Sequence, residues 1–392
     1  MNKRKICIIT GSRAEYGLLF WILKELKEFS EVELQIIATG SHLSPEHGLT
    51  YRQIEKDGFE ISQKLEMQIS SNTTVGVTKS VGLAVIGFAD AFSNLAPDIC
   101  VVLGDRYEIL AATQAAMLMN IPIAHIHGGE TTEGAVDESI RHAISKMSHV
   151  HFVAAEPYRQ RVLQMGENPN HVFNFGAPGI DSIKKLKLLN KEEWSQQTGF
   201  TLSGKIAAIT FHPETLSDTP HEAQFSKFLK ALEVFSSEWT LVFTKANADA
   251  GGHIINQMID AFVSKGPANR ISFASLGQLL YLSLLKNSSM VIGNSSSGIA
   301  EAPSLGVVTV NVGDRQKGRL MASSVLNCKC DEAEIGQKIR IAQEIDLNFV
   351  QNPYDQGQYA SGNIAATLRS IALEPLLKKH FFVYCMENIG GF

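Results

Sequence analysis

Short unbroken apolar runs recur along the first 150 residues, each ending in a Gly- or Asp-containing loop and followed by a helical pattern. Runs at 6–10, 34–39, 99–103, 121–126 and 151–154 read as strands of a parallel sheet, which are buried on both faces and so lack polar alternation. Pro122 is accommodated early in its strand. Helical periodicity predicts helices over 16–29, 50–56, 79–95, 107–119 and 138–147. The stretch at 79–95 is apolar on most faces and is expected to be largely buried. Asn168-Pro169 and Ala177-Pro178-Gly179 then punctuate the chain, and 176–204 reads as a passage between domains. Strand patterns resume at 206–210, 241–244, 271–273, 290–292 and 307–310, with helices between. This is a doubly wound α/β series written twice: two Rossmann-like domains, 1–176 and 177–364, with a central cleft. The remaining 365–392 carries a helical stretch near 365–377, expected to cross back to the first domain.

A chain of 392 residues exceeds what one hydrophobic core serves, in keeping with two domains. Its formal charge of −5 argues against nucleic acid as a partner, because phosphate-backbone affinity needs a basic surface. Five cysteines are too few and scattered for a disulfide framework. Cys7 and Cys100 lie inside apolar runs as buried thiols, and Cys328-Lys329-Cys330 lacks the spacer of a redox or zinc pair. Basic residues precede the first apolar run, but that run stops at Thr10, too soon for a secretory signal. No stretch reads as long enough to span a bilayer. A cytoplasmic protein with no membrane partner is expected.

The first strand leads into Gly11-Ser12-Arg13-Ala14-Glu15-Tyr16-Gly17. The three-glycine dinucleotide fingerprint and its ribose-binding acid are missing, as are the spacing and lysine of a P-loop. Neither NAD nor ATP is implied, and no cofactor is expected. The loop places Arg13 and backbone N–H groups at a helix start, either as an anion contact or as a plain turn. In a parallel sheet, ligands gather beyond the carboxyl ends of the strands. Three polar loops meet that condition: Gly104-Asp105-Arg106-Tyr107-Glu108, His127-Gly128-Gly129-Glu130, and Asp137-Glu138 with Arg141-His142. Each has a plainer reading. Asp105 could cap a helix, Asp137 and Glu138 could answer a helix dipole, and His125 could be a core histidine. Taken together, Asp105, His127, Glu130 and Asp137 on neighbouring strand ends point to acid–base chemistry. No spaced His/acid pair supports a metal, and none is expected.

In the second half, Gly293-Asn294-Ser295-Ser296-Ser297-Gly298 follows a strand and opens a helix. Small hydroxyl residues at a helix start suit a diphosphate, with Glu301 one turn on to accept from ribose hydroxyls. His212 and Asn247 lie at other strand ends of the same domain.

With these motifs the chain resembles the hydrolysing UDP-N-acetylglucosamine 2-epimerases of sialic acid and related nonulosonic acid synthesis. The resemblance spans nearly the whole chain and rests on TGSRAEYG (10–17), VLGDRYE (102–108), HIHGGE (125–130), DESIRHAISKMSH (137–149), FHPET (211–215), GNSSSGIAEAPSLG (293–306) and GDRQKGR (313–319). It implies a glycosyltransferase-B-like pair of domains, a homodimer, and UDP held mainly by the second domain. The UDP contacts it implies are Arg13, Arg106, His212, Asn247, Ser295, Ser296, Glu301 and Arg315. Asp105 and Asp137 are the implied acid–base residues, with His42, Glu138 and Arg141 beside the sugar. Related epimerases carry a catalytic glutamate where this chain has His127, so that role falls to His127 or to Glu130. The implied reaction converts UDP-GlcNAc or UDP-N,N′-diacetylbacillosamine, with water, to the free 2-epimer and UDP through a glycal. The alternatives are a UDP-sugar glycosyltransferase, a non-hydrolysing 2-epimerase and a catalytically inert UDP-sugar sensor. A non-hydrolysing enzyme would carry a loop like HVEAGLRT in place of HIHGGE, and a sensor has no need of both Asp105 and Asp137.

Overall fold

The computed structural model describes residues 3–69, 73–132, 136–214, 219–235, 237–246 and 251–383. These fall into two compact units. Unit 1 lies within Met1–Glu130, Val136–Asp181 and Gln356–Phe392, and unit 2 within Thr131–Ala135 and Ser182–Asp355.

Unit 1 is built on seven strands: β1 (Arg4–Thr10), β2 (Val32–Thr39), β3 (Gln63–Leu65), β4 (Ile99–Leu103), β5 (Ile123–Ile126), β6 (Val150–Val153) and β7 (Val172–Asn174). All pair in parallel, in the order β3-β2-β1-β4-β5-β6-β7. The sequence of β1 shows why the strands read as continuous apolar runs. Ile6 and Ile8 enter one core while Cys7 and Ile9 enter the core on the opposite face. The intervening helices are α1 (Arg13–Lys27), α2 (Tyr51–Lys56), α3 (Thr74–Leu95), α4 (Tyr107–Leu118), α5 (Val136–Met147) and α6 (Glu156–Gln164).

The passage expected at 176–204 contains two helices, α7 (Pro178–Lys185) and α8 (Lys191–Thr198), the latter closed by a capping box between Asn190 and Glu193. Unit 2 repeats the winding with β8 (Lys205–Thr210), β9 (Trp239–Thr244), β10 (Arg270–Phe273), β11 (Met290–Gly293), β12 (Val308–Val312) and β13 (Val325–Cys328), ordered β10-β9-β8-β11-β12-β13. Its helices are α9 (His221–Glu233), α10 (Gly252–Ser264), α11 (Gly277–Asn287), α12 (Ser296–Ala300) and α13 (Glu332–Ala342). Here too, successive residues of β8 alternate between two cores.

Helix α14 (Ala360–Ser370) returns to unit 1 and packs on α1. It starts and stops before the 365–377 expected for it. The Asp181 carboxylate accepts from the backbone N–H of Ala360 and Ser361 and fixes its start. Pro375 lies beyond its end, where a helix cannot continue. Three edge strands are absent from the sequence pattern: β3 and β7 have three residues each, too few for an apolar run, and Asn327 interrupts β13 with a polar residue.

Helix α3 corrects two expectations. Phe88 and Phe92 are buried, but Val75, Leu83 and Ile86 are exposed, so one face packs and the other does not. It is also the one described helix whose 22 residues are long and apolar enough, by length and composition, to cross a membrane. Only Lys79 and Asp90 interrupt its apolar and small residues with charge, and it begins at Thr74, before the 79 expected.

Candidate functional site

In each sheet the strand order reverses beside its first strand, at β1/β4 in unit 1 and β8/β11 in unit 2. Loops leaving the carboxyl ends of such strands diverge, and the opening between them takes ligands.

In unit 1, Ser12 caps α1 and leaves Arg13 exposed at its first turn. Glu15 folds back so that its carboxylate accepts from the Gly11 N–H at 2.7 Å. Arg106 Nε lies 2.7 Å from Glu108 and 3.9 Å from Glu15. Burial, and then the neighbouring Glu108, push the Glu15 carboxyl up to about 8 against the pull of Arg106. Arg106, expected at UDP, is thus tied to two buried carboxyl groups of its own unit. His42 is also placed differently from the expectation beside the sugar. It is wholly buried, with Nε2 3.0 Å from Thr10 Oγ1 and Nδ1 2.8 Å from Thr50 Oγ1. Burial lowers its pKa to about 4, so it is a neutral bridge between β1 and the segment leading to α2.

Asp105 follows β4 across Gly104 but does not cap α4. Arg106 is the N-cap residue, and no side chain bonds there. The Asp105 carboxylate instead pairs with the buried guanidinium of Arg141 on α5. Arg141 lies 3.8 Å from Glu138, whose other oxygen is 3.0 Å from His142 Nε2. Asp105, Glu138 and Arg141 therefore form one cluster, with the half-buried Asp137 in the same first turn of α5.

Beyond β5 the two histidines separate. His125 is a core residue held by the Gly104 carbonyl at 2.8 Å and Ser145 Oγ at 3.1 Å, and burial lowers its pKa to about 3. His127 adopts a left-handed φ of +65° that turns the chain out of the sheet. Histidine is among the few non-glycine residues enriched in that region. Gly129 continues the turn at φ +76°, where any Cβ would strike the Tyr158 carbonyl. The turn folds Glu130 back so that its carboxylate pairs with His127 Nδ1. His127 Nε2 is buried and has no hydrogen-bond partner among the described residues.

In unit 2, Gly293 ends β11 at φ +138°, where a side chain would run into the Thr210 carbonyl of β8. The next residue, Asn294, is wholly buried and locks the two loops together. Its Oδ1 accepts from the His212 N–H at 2.7 Å, and its Nδ2 donates to the His212 carbonyl at 2.8 Å. The Asn294 carbonyl in turn accepts from Arg315 at 3.2 Å and Gln316 at 2.9 Å. His212, Arg315, Ser295 and Ser296 are thus assembled at one strand-end switch point. Ser295 also caps α12, accepting from Ser297 N–H at 3.4 Å. Burial, and then Glu301, raise the pKa of Tyr281 on α11 against hydrogen bonds with Ser297, Thr210 and Ser295. Burial likewise raises the Glu301 carboxyl, against a hydrogen bond from Ser297. Asn247 lies outside the described residues.

The sequence reading does not name Tyr281, and it gives Asn294, Glu15 and Glu108 no role of their own within the loops that carry them. The available signal was a polar group inside an apolar pattern, most plainly Tyr281 in Gly277–Asn287. Among the described residues, no three His, Cys, Asp or Glu side chains are arranged to hold a metal ion.

Two parallel-sheet units with polar clusters at both switch points define an α/β enzyme of the glycosyltransferase-B-like class. Residues 24–369 match the family model described as UDP-N-acetylglucosamine 2-epimerase. The chain belongs to the UDP-N-acetylglucosamine 2-epimerase family. It is 41% identical over 383 residues to a hydrolysing GDP/UDP-N,N′-diacetylbacillosamine 2-epimerase of Campylobacter jejuni, covering 97% of this chain and 99% of that one. It is 39% identical to polysialic acid biosynthesis protein P7 of Escherichia coli (90% of each chain) and 38% identical to the hydrolysing UDP-N,N′-diacetylbacillosamine 2-epimerase of Legionella pneumophila (83% and 85%). The fold matches the crystal structure of a Neisseria meningitidis UDP-GlcNAc 2-epimerase bound to UDP-GlcNAc, with a TM-score of 0.78 at 20% identity over 93% of this chain and 99% of that one.

Proposed function

We propose that this chain hydrolyses UDP-N,N′-diacetylbacillosamine with inversion at C2, releasing the free 2-epimer and UDP for nonulosonic acid synthesis. The observation that carries the chemistry is the His127–Glu130 pair beyond β5. A carboxylate on Nδ1 keeps that proton in place and leaves the Nε2 lone pair as a base, with neither residue acting alone. As the C1–O bond to UDP breaks, positive charge at C1 acidifies C2–H. Nε2 takes that proton, giving a 2-acetamidoglycal and UDP. The carboxylic acid of Asp105 or Asp137 gives its proton to C2 from the opposite face, and water adds its oxygen to C1 while the proton it loses passes to the carboxylate left behind. Arg141, paired with Asp105, orients its carboxyl group. The unit 2 cluster of His212, Ser295, Ser296, Glu301 and Arg315 supplies donors and acceptors for UDP, and hydroxyls of this kind stabilise charge on a leaving diphosphate.

Two of the relatives above carry N,N′-diacetylbacillosamine in their names, one of them matching over nearly the whole chain. That supports this sugar over UDP-GlcNAc. Turnover of the two, measured side by side, is expected to favour the former by at least about tenfold in kcat/KM, the scale of one buried polar contact. A preference for UDP-GlcNAc would contradict the assignment. We also read the chain as a homodimer, in keeping with the exposed apolar Val75, Leu83 and Ile86 of α3. Light scattering at the mass of one protomer would overturn that reading.

A further inference from the structure

Unit 1 contains a cavity of about 380 Å³ lined by His149, Glu167, His171, Lys378, Lys379 and His380, with Leu376 and Phe382 as apolar walls. His149 immediately precedes β6 and His171 immediately precedes β7. In a parallel sheet both therefore lie at the edge opposite the strand ends that carry Asp105 and His127.

The one carboxylate in the wall is already answered. Glu167 is buried, 2.8 Å from Lys146, 2.7 Å from Lys379 and 3.2 Å from His151. Despite its burial, those partners hold its carboxyl at about 2, so it stays ionised. Lys379 is equally committed, since it also donates to the carbonyls of Lys146 at 2.8 Å and Ser148 at 2.6 Å.

What remains turned to the cavity is donors. Lys378 and His380 are exposed and make no side-chain hydrogen bond or ion pair among the described residues. The fixed donor is His149. Its Nδ1 accepts from the Ile123 N–H at 3.1 Å, so in the neutral ring the proton sits on Nε2. Burial, and then Lys379, lower its pKa to about 4 and keep the ring in that form. Lys378 and Lys379 outnumber Glu167, so the wall carries excess positive charge beside the neutral His149 imidazole N–H and an apolar face. That combination complements an oxyanion on a short carbon skeleton.

We propose that this cavity is a second ligand site, remote from the acid–base loops, that takes a small oxyanion, a carboxylate or a phosphate. The test is histidine-selective carbon-13 NMR of the full chain saturated with UDP, so that no added anion competes for nucleotide contacts. Inorganic phosphate and malonate are titrated separately at constant ionic strength. Saturable shifts of His149 and His171 with either anion support the site, and the stronger of the two names the class. The Lys378→Ala/His380→Ala double variant alters only exposed side chains. It should weaken that anion at least about tenfold, the loss expected on removing hydrogen bonds to a charged group, with UDP affinity unchanged. Shifts that fail to saturate with both anions, or that saturate equally in the double variant, would overturn the proposal.

Discussion

His127 can serve as a base only while one ring nitrogen keeps its proton and the other keeps its lone pair. Glu130 provides that asymmetry by pairing with Nδ1. His127→Gln is expected to lower kcat by at least about a hundredfold, the usual scale of a lost acid–base group. Glu130→Gln should cost less, because the imidazole survives but its orientation and developing charge lose support. Full activity in both variants would remove this loop from the mechanism. These residues were legible because their polar loop ends a strand of a parallel sheet, where ligands gather. Their pairing was not, since it depends on the left-handed backbone at His127. Nor was the partner of Asp105, because Arg141 lies 36 residues on. The same distance effect hid the surroundings of His42, which the resemblance implies beside the sugar and the fold encloses between Thr10 and Thr50.

Helices and strands differed in how plainly they could be read. Central strands such as β1 and β8 announce themselves because both faces are covered. Helix α14 did not give its start, since the cap comes from Asp181, 179 residues away in the chain. That carboxylate is buried and accepts from Ala360 N–H at 3.0 Å and Ser361 N–H at 2.7 Å. Replacing a helix cap, or removing charge-assisted bonds of this kind, costs roughly 1–3 kcal/mol. Asp181→Ala should therefore lower the urea midpoint by that amount of stability and speed hydrogen exchange in the first turn of α14. An unchanged midpoint with unchanged exchange would show that the α1–α14 packing holds the helix without its cap. Helix α3 taught a different lesson. Its composition predicts burial all round, but only the stripe through Ala84, Phe88 and Phe92 meets the sheet.

At the scale of the whole molecule, the same winding is used twice, and each unit brings a different chemistry to its switch point. Unit 1 offers titratable groups on short strand-end loops, while unit 2 offers hydroxyls, a locked asparagine and a guanidinium. That division is what an enzyme needs if it must both shuttle a proton at a sugar carbon and release a charged diphosphate. The proposed reaction breaks C1–O, exchanges the C2 proton and adds water at C1. Mass spectrometry of the product formed in deuterium oxide and in oxygen-18 water tests all three events together. The account predicts a free, C2-inverted sugar carrying one deuterium at C2 and one oxygen-18 at C1, with unlabelled UDP. Oxygen-18 in the released UDP, or a sugar without deuterium at C2, would contradict it.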